Sequence, residues 1–175
     1  MTDSISILAG ALRDVQDFPK PGILFKDITP ILANGRLFRL AVDCFVQANA
    51  DLRIDKIVGI DARGFLFGAA AAYELGVGFV PVRKKGKLPY QTQSAAYSLE
   101  YGESVVEMHV DAIVPGERIA LIDDLLATGG TAAAASCLIS KAGGVLVEAQ
   151  FLIELEFLAG RNALSHSPVR SFLKF

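Results

Sequence analysis

Arg118–Thr131 reads RIALIDDLLATGGT, and its order decides the fold. An apolar run, Ile119 to Ile122, ends in two adjacent carboxylates, Asp123 and Asp124. A short loop rich in glycine and threonine follows, and an alanine-rich helix then opens. In a parallel sheet this arrangement suits a phosphorylated sugar. Backbone N–H groups at a helix start face the anion, and glycine lets the chain approach without a Cβ in the way. The acids would repel phosphate, but they suit neutral hydroxyls or a metal ion beside it. A routine N-cap and turn would account for the loop taken alone.

Outward from this stretch, apolar runs and helical spacing alternate. Lys56–Ile60 reads as a buried strand, Gly64–Leu75 as a helix and Gly78–Val82 as a strand. Arg118–Ile122 is the next strand, followed by the helix Thr131–Ala142, closed by Gly143–Gly144, and the strand Val145–Ile153. Such alternation implies α/β architecture, a parallel sheet with flanking helices. Upstream, Ser4–Val15 has helix-like spacing at Ile5, Leu8 and Leu12, with Ser4 available as a cap. FPKPGILFKDITP (18–30) is too rich in proline to be regular, and predicts an irregular, partly extended hood over about 1–35. Arg36–Ala50 reads as an amphipathic helix. Between Gln93 and Val110 the pattern alternates around Gly102–Glu103, which predicts a two-residue hairpin turn inserted as a lid. The tail is expected to end in a strand. One domain, 1–175, is expected.

Ligands of a doubly wound sheet bind beyond the C-terminal strand ends. Three loops should meet there: Asp61–Gly64, Arg83–Lys87 and Asp123–Thr131. In DARG (61–64), Gly64 and a helix start favour an anion, and Arg63 adds a bidentate donor. Asp61 as a plain N-cap is the competing reading. RKKGKLP places Arg83, Lys84, Lys85 and Lys87 within five residues of a chain whose formal net charge is −2. A solvated turn is the usual meaning of such a run, but its place after a strand favours pyrophosphate.

That net charge gives no general attraction to nucleic acid or an anionic membrane. The longest apolar run, Phe65–Tyr73, is about half the roughly 18 residues of a membrane span. MTDSISILAG lacks the basic start of a secretory signal, so a cytoplasmic protein is expected. Cys44 and Cys137, isolated in helix-like surroundings, are expected to be buried free thiols. His109 and His166 lack metal-ligand spacing. No P-loop pattern and no G-x-G-x-x-G after a strand occurs.

Taken whole, RIALIDDLLATGGT resembles the phosphoribosyl pyrophosphate signature of the type I phosphoribosyltransferases. With FPKPGILFKDITP, GFLFG, GVGFVPVRKKGKLP and YSLEYG, the resemblance narrows to the adenine phosphoribosyltransferase family, from about Phe18 to about Ile153. It implies transfer of ribose phosphate to adenine, giving AMP and pyrophosphate, with Mg²⁺ riding on substrate oxygens. Asp123 and Asp124 would hold the ribose hydroxyls, directly or through the metal. Ala127, Thr128, Gly129, Gly130 and Thr131 would bind the monophosphate, and Arg63, Arg83, Lys84 and Lys87 the pyrophosphate. Leu24, Phe25 and Lys26 would form the base pocket, with Phe25 stacked on the purine.

Glu100 matches the family's lid carboxylate, and Tyr101 would sit at the hinge or contact phosphate. Because Glu100 alternates with Leu99 and Tyr101, the polar face of an exposed hairpin is its other reading. A homodimer is implied, some basic residues reaching across from a neighbouring subunit. Lys26 stands where the family usually carries Arg; binding the base through the backbone would make that exchange harmless. Two rivals remain: a phosphoribosyltransferase for xanthine or hypoxanthine, and a regulatory protein of this fold that binds DNA. The second would need an added basic or helix-turn-helix segment, which the sequence does not display.

Overall fold

The computed structural model describes residues 2–18, 20–98 and 103–175. They fall into two compact units, Met1–Cys44 and Phe45–Phe175.

In the first unit, helix α1 (Thr2–Ala11) gives way to strand β1 (Arg13–Gln16), which pairs antiparallel with β2 (Leu24–Asp27). The single helix expected over Ser4–Val15 is therefore shorter, and Ser4 lies inside it. Val15 fits a helical stripe with Leu8 and Leu12, but its pairing with Phe25 makes it part of a strand. The hood is more regular than its prolines suggested. Asp17 Oδ1 accepts the Gly22 N–H at 2.7 Å and closes the β1–β2 connection. Pro30 falls in the first turn of α2 (Thr29–Ala33), where its missing N–H costs nothing. Helix α3 (Gly35–Asn49) starts one residue before the expected Arg36, with Asn34 Oδ1 accepting the N–H groups of Arg36 and Leu37. It runs across the boundary between the units.

The second unit contains β3 (Lys56–Ile60), α4 (Arg63–Leu75), β4 (Gly78–Lys84), β5 (Thr92–Ser98), β6 (Glu103–His109), β7 (Arg118–Leu126), α5 (Gly130–Lys141), β8 (Val145–Glu154) and β9 (Val169–Lys174). Two short 3-10 turns, Glu156–Leu158 and Gly160–Leu164, precede β9. The strands form one seven-stranded sheet in the order β5-β6-β4-β3-β7-β8-β9. The neighbours from β4 through β9 run parallel, while β6 joins β4 and β5 antiparallel. β3 sits at the switch point: the chain leaves it for β4 on one side and later returns as β7 on the other.

Alternation along β3 and β7 divides the side chains between two faces. Val58, Ile60 and Leu121 join Leu138 and Ile139 of α5 in one core cluster. Ile57 and Gly59 turn to the opposite face, where Gly68 of α4 approaches them. There Phe45 contacts Phe67 and Phe172, with ring centroids 5.7 and 4.9 Å apart. Asn49 and Gln150 exchange two amide hydrogen bonds, of 2.8 and 3.0 Å, and so tie the end of α3 to β8.

Several expectations are corrected here. β4 continues through Arg83 and Lys84, because both pair with β6. β7 continues through Asp123 and Asp124 to Leu126, held by pairing with β8, so the acids lie on a strand. Ser98 pairs with Glu103, which places Glu103 on β6 rather than in a turn with Gly102. The expected inserted hairpin is present as β5 and β6, and its Ala95, Val106 and Met108 are core residues. Its connection, 99–102, which includes Glu100 and Tyr101, lies outside the described residues. Cys137 is exposed, not buried, because α5 turns Ala135, Leu138 and Ile139 inward instead; Cys44 is buried.

Candidate active site

The C-terminal ends of β3, β4 and β7 bring the three expected loops of the second unit together. Arg63 Nε lies 2.8 Å from Asp124 Oδ2, joining the first loop to the third. Arg83 Nε donates to Asp61 Oδ2 at 2.9 Å, joining the second loop to the first. Gly64 is required by this convergence. A Cβ there would come within 2.7 Å of Asp123 Oδ1 and 2.8 Å of the Ile122 carbonyl. Because α4 starts directly against β7, only glycine fits.

These contacts decide the competing readings. Asp61 does not cap α4, whose N-cap is Ala62 with no side-chain hydrogen bond. The acid pair caps nothing, since α5 starts after Gly129, again without a side-chain cap. The start of α5 thus carries no side-chain cap, the geometry in which helix N–H groups can face an anion. Asp123, Ala127, Thr128, Gly129, Gly130 and Thr131 line a cavity of about 80 Å³ at that helix start. Behind it, Gly129 (φ 81°) and Gly160 are in close mutual approach. A Cβ on Gly129 would overlap the Gly160 carbonyl oxygen, and one on Gly160 the Ala127 carbonyl. The 3-10 turn carrying Gly160 therefore acts as a backstop for the loop.

The two acids lie in an unusual electrostatic position. Burial pushes the Asp123 carboxyl well above the ordinary range, and the charge of Asp124 pushes it further. Burial also raises Asp124, with Arg63 pulling against it. The pair therefore resists carrying two negative charges, and a cation beside it would favour the doubly ionised form. Lys84, Lys85 and Lys87 stand exposed around the end of β4. The second unit thus presents a helix start for a small anion, an acid pair for hydroxyls or a cation, and a cationic turn for a larger anion.

In the first unit, strand alternation splits the expected base-pocket residues. Phe25 and Asp27 line a cleft of about 230 Å³ with Val15 and Phe18. Phe18 meets Phe25 edge to face, with centroids 5.1 Å apart. Leu24 instead lines a separate depression with Gln16, Asp17, Gly22 and Ile23. Lys26 Nζ lies 2.6 Å from Asp14 Oδ1, its partner in the β1–β2 register. That Val15, Phe18 and Asp27 line a cleft with Phe25 was not foreseen, because the hairpin that gathers them was not expected. Glu107 lies buried on β6 beside the cationic turn.

Comparison with known proteins places the chain in a family. A phosphoribosyl transferase domain pattern matches residues 27–164. The adenine phosphoribosyltransferase of Acidothermus cellulolyticus is 54% identical over 168 residues, spanning 96% of this chain and 95% of that protein. The crystal structure of the Rhodothermus marinus enzyme of that name superposes with a TM-score of 0.94 at 50% identity, covering 100% of both chains. The Saccharomyces cerevisiae enzyme, crystallised with an imino-altritol bisphosphate and adenine, gives a TM-score of 0.94 at 43% identity, covering 98% of this chain and 99% of that one. The chain belongs to the phosphoribosyltransferases and, within them, to the adenine phosphoribosyltransferase family.

Proposed function

We propose that the loops after β3, β4 and β7 grip phosphoribosyl pyrophosphate at both of its charged ends. The chain is an enzyme of purine salvage that transfers the 5-phosphoribosyl group of this donor to adenine, giving AMP and pyrophosphate. The observation that carries the residue assignment is the 2.8 Å contact of Arg63 with Asp124, which supports reading the first and third loops as parts of one site. Asp123 and Asp124 take the ribose hydroxyls. Ala127–Thr131 and the first turn of α5 take the monophosphate. Arg63, Arg83, Lys84 and Lys87 take the pyrophosphate.

Breaking the bond at the anomeric carbon leaves positive charge on the ribose and negative charge on the departing pyrophosphate. Fixed cations aimed at the leaving group are therefore the protein's largest contribution. Among the described residues no cluster of three or more His, Cys, Asp or Glu is placed to hold a metal. The Asp123–Asp124 pair nevertheless fits Mg²⁺, which commonly takes one or two carboxylates with substrate phosphate and water. When bound, the ion neutralises charge on the pyrophosphate oxygens.

Phe25 supplies the stacking face for adenine, and main-chain groups of the hood read its edge. The Lys26–Asp14 ion pair supports the view that Lys26 serves the hairpin, so its exchange for Arg matters little. Glu100 exchanges a proton with the purine ring nitrogen, and Tyr101 belongs to the lid. We assign the working form as a cytoplasmic homodimer. Exposed Leu66 and Tyr73 on α4 support a second copy, and among the described residues no helix is long and apolar enough to cross a membrane.

Pyrophosphate release should require adenine. Turnover with hypoxanthine and none with adenine would overturn the base specificity. Glu100→Gln should lower kcat by about 10²-fold, the typical scale of acid–base help, with little change in the Kd for phosphoribosyl pyrophosphate. Single-turnover kinetics on the variant separate the two quantities, and an unchanged rate returns Glu100 to a solvated hairpin face.

A further inference from the structure

Glu107 stands on β6 in register with Arg83 of β4, and it is 4% exposed. None of the roles above uses it. Its Oε1 accepts the backbone N–H groups of Lys87 and Leu88, each at 3.0 Å, and its Oε2 accepts the Thr92 hydroxyl at 3.3 Å. A buried carboxylate is costly unless its lone pairs are filled, and here they are. Burial pushes its pKa up, but N–H groups of Gly86, Leu88 and Lys87, with the Thr92 hydroxyl, outweigh that and hold it below the usual range. The group is an anion beneath a cationic turn.

The turn itself is otherwise weakly closed. Its own bond, from Lys87 N–H to the Lys84 carbonyl, is 3.3 Å long. With Lys85 N–H donating to the Val105 carbonyl at 3.0 Å, the backbone donors of Lys85, Lys87 and Leu88 are all engaged inside the protein. An anion approaching from outside therefore meets side chains on a fixed backbone. The bracing continues beyond the turn: the Lys87 carbonyl accepts Arg83 Nη1 at 3.0 Å, and Arg83 Nε donates to Asp61.

We propose that Glu107 is the positioning residue of the pyrophosphate clamp, fixing the backbone from which Lys84 and Lys87 meet the leaving group. This rests on reading that turn as the clamp. Glu107→Gln keeps the volume and an acceptor oxygen for the two N–H groups but removes the charge that strengthens those bonds. In the reverse reaction of AMP with inorganic pyrophosphate, its KM for pyrophosphate should rise about tenfold, the effect of one lost charge-assisted contact. The KM for AMP, which carries no pyrophosphate, should change less than about twofold.

Glu107→Asp keeps the charge with a shorter reach and should fall between the two. It also serves as the variant to read if the amide does not fold. A merely structural role would lower the melting temperature and weaken both substrates together. That result, or a folded Glu107→Gln with wild-type KM for pyrophosphate, overturns the proposal. The underlying reading is tested separately by Lys84→Ala with Lys87→Ala. An unchanged pyrophosphate KM there rejects the turn as a clamp at all.

Discussion

Replacing both acids, Asp123→Asn with Asp124→Asn, should weaken phosphoribosyl pyrophosphate binding by about 10²–10⁴-fold without unfolding the protein. The estimate takes two hydrogen bonds to charged groups, each worth about 1.5–3 kcal/mol. The stability side has the opposite sign. An acid whose native pKa lies above its unfolded value holds its proton more tightly in the folded state. What it contributes to stability is complete below about 3.9, the free aspartate value, and is lost as pH rises through the raised native value. Asp123 is such a group, raised by burial and by Asp124. Asp123→Asn alone should therefore melt no lower than the wild type at neutral pH, and the gap should widen in its favour as pH rises. Melting curves across pH, read beside equilibrium binding of the donor, test both halves. Unfolding of the double variant would instead make the pair a structural feature. The physical point is that burial and the neighbouring carboxylate make the Asp123 proton costly to lose in the folded state.

The parts legible in the sequence are those set by local pattern. KIVGI is a continuous apolar run between polar flanks, and the strand it predicted has the observed bounds Lys56–Ile60. The loops after β3, β4 and β7 were placed by strand order alone, and their convergence followed. What was not legible depended on pairing between distant residues. β1 reads as the end of a helix until LFKD comes back to pair with it, and only then do Val15, Phe18 and Phe25 share a cleft. β4 looks finished at Val82, because two cations follow; β6 supplies the pairing that extends it through Lys84. The three residues expected at the base pocket do not all line one cleft. Neighbours on a strand face opposite ways, so Leu24 and Lys26 part from Phe25. Gly160, too, carries no signal of its own, since its role exists only against Gly129.

That backstop sets the remaining expectation: Arg161→Ala should destabilise the protein by about 3 kcal/mol and loosen the phosphate loop with it. Arg161 follows Gly160 and reaches the end of β8. Its Nε and Nη2 donate to the two oxygens of Glu154, each at 2.7 Å, while Nη1 donates to the Val169 carbonyl at 2.8 Å. The Glu154 side chain is 4% exposed, so losing Arg161 strands a carboxylate away from water. The low end of the range for a broken buried pair applies, because Arg161 keeps part of its surface in solvent. For a domain of this length the loss corresponds to a fall in melting temperature of about 6–12 °C. Hydrogen bonding to Arg161 holds the Glu154 pKa below its ordinary value. Its contribution is therefore present above about 4.3 and disappears as pH falls through the lowered native value. In Arg161→Ala that acid-side loss should vanish, and adding Glu154→Gln should recover much of the stability, since no buried charge remains. AMP affinity should fall in Arg161→Ala even where the protein is fully folded, because the turn bearing Gly160 is no longer tied to β8. A variant that melts like the wild type, or one that loses stability but binds AMP normally, would separate the ion pair from the phosphate loop.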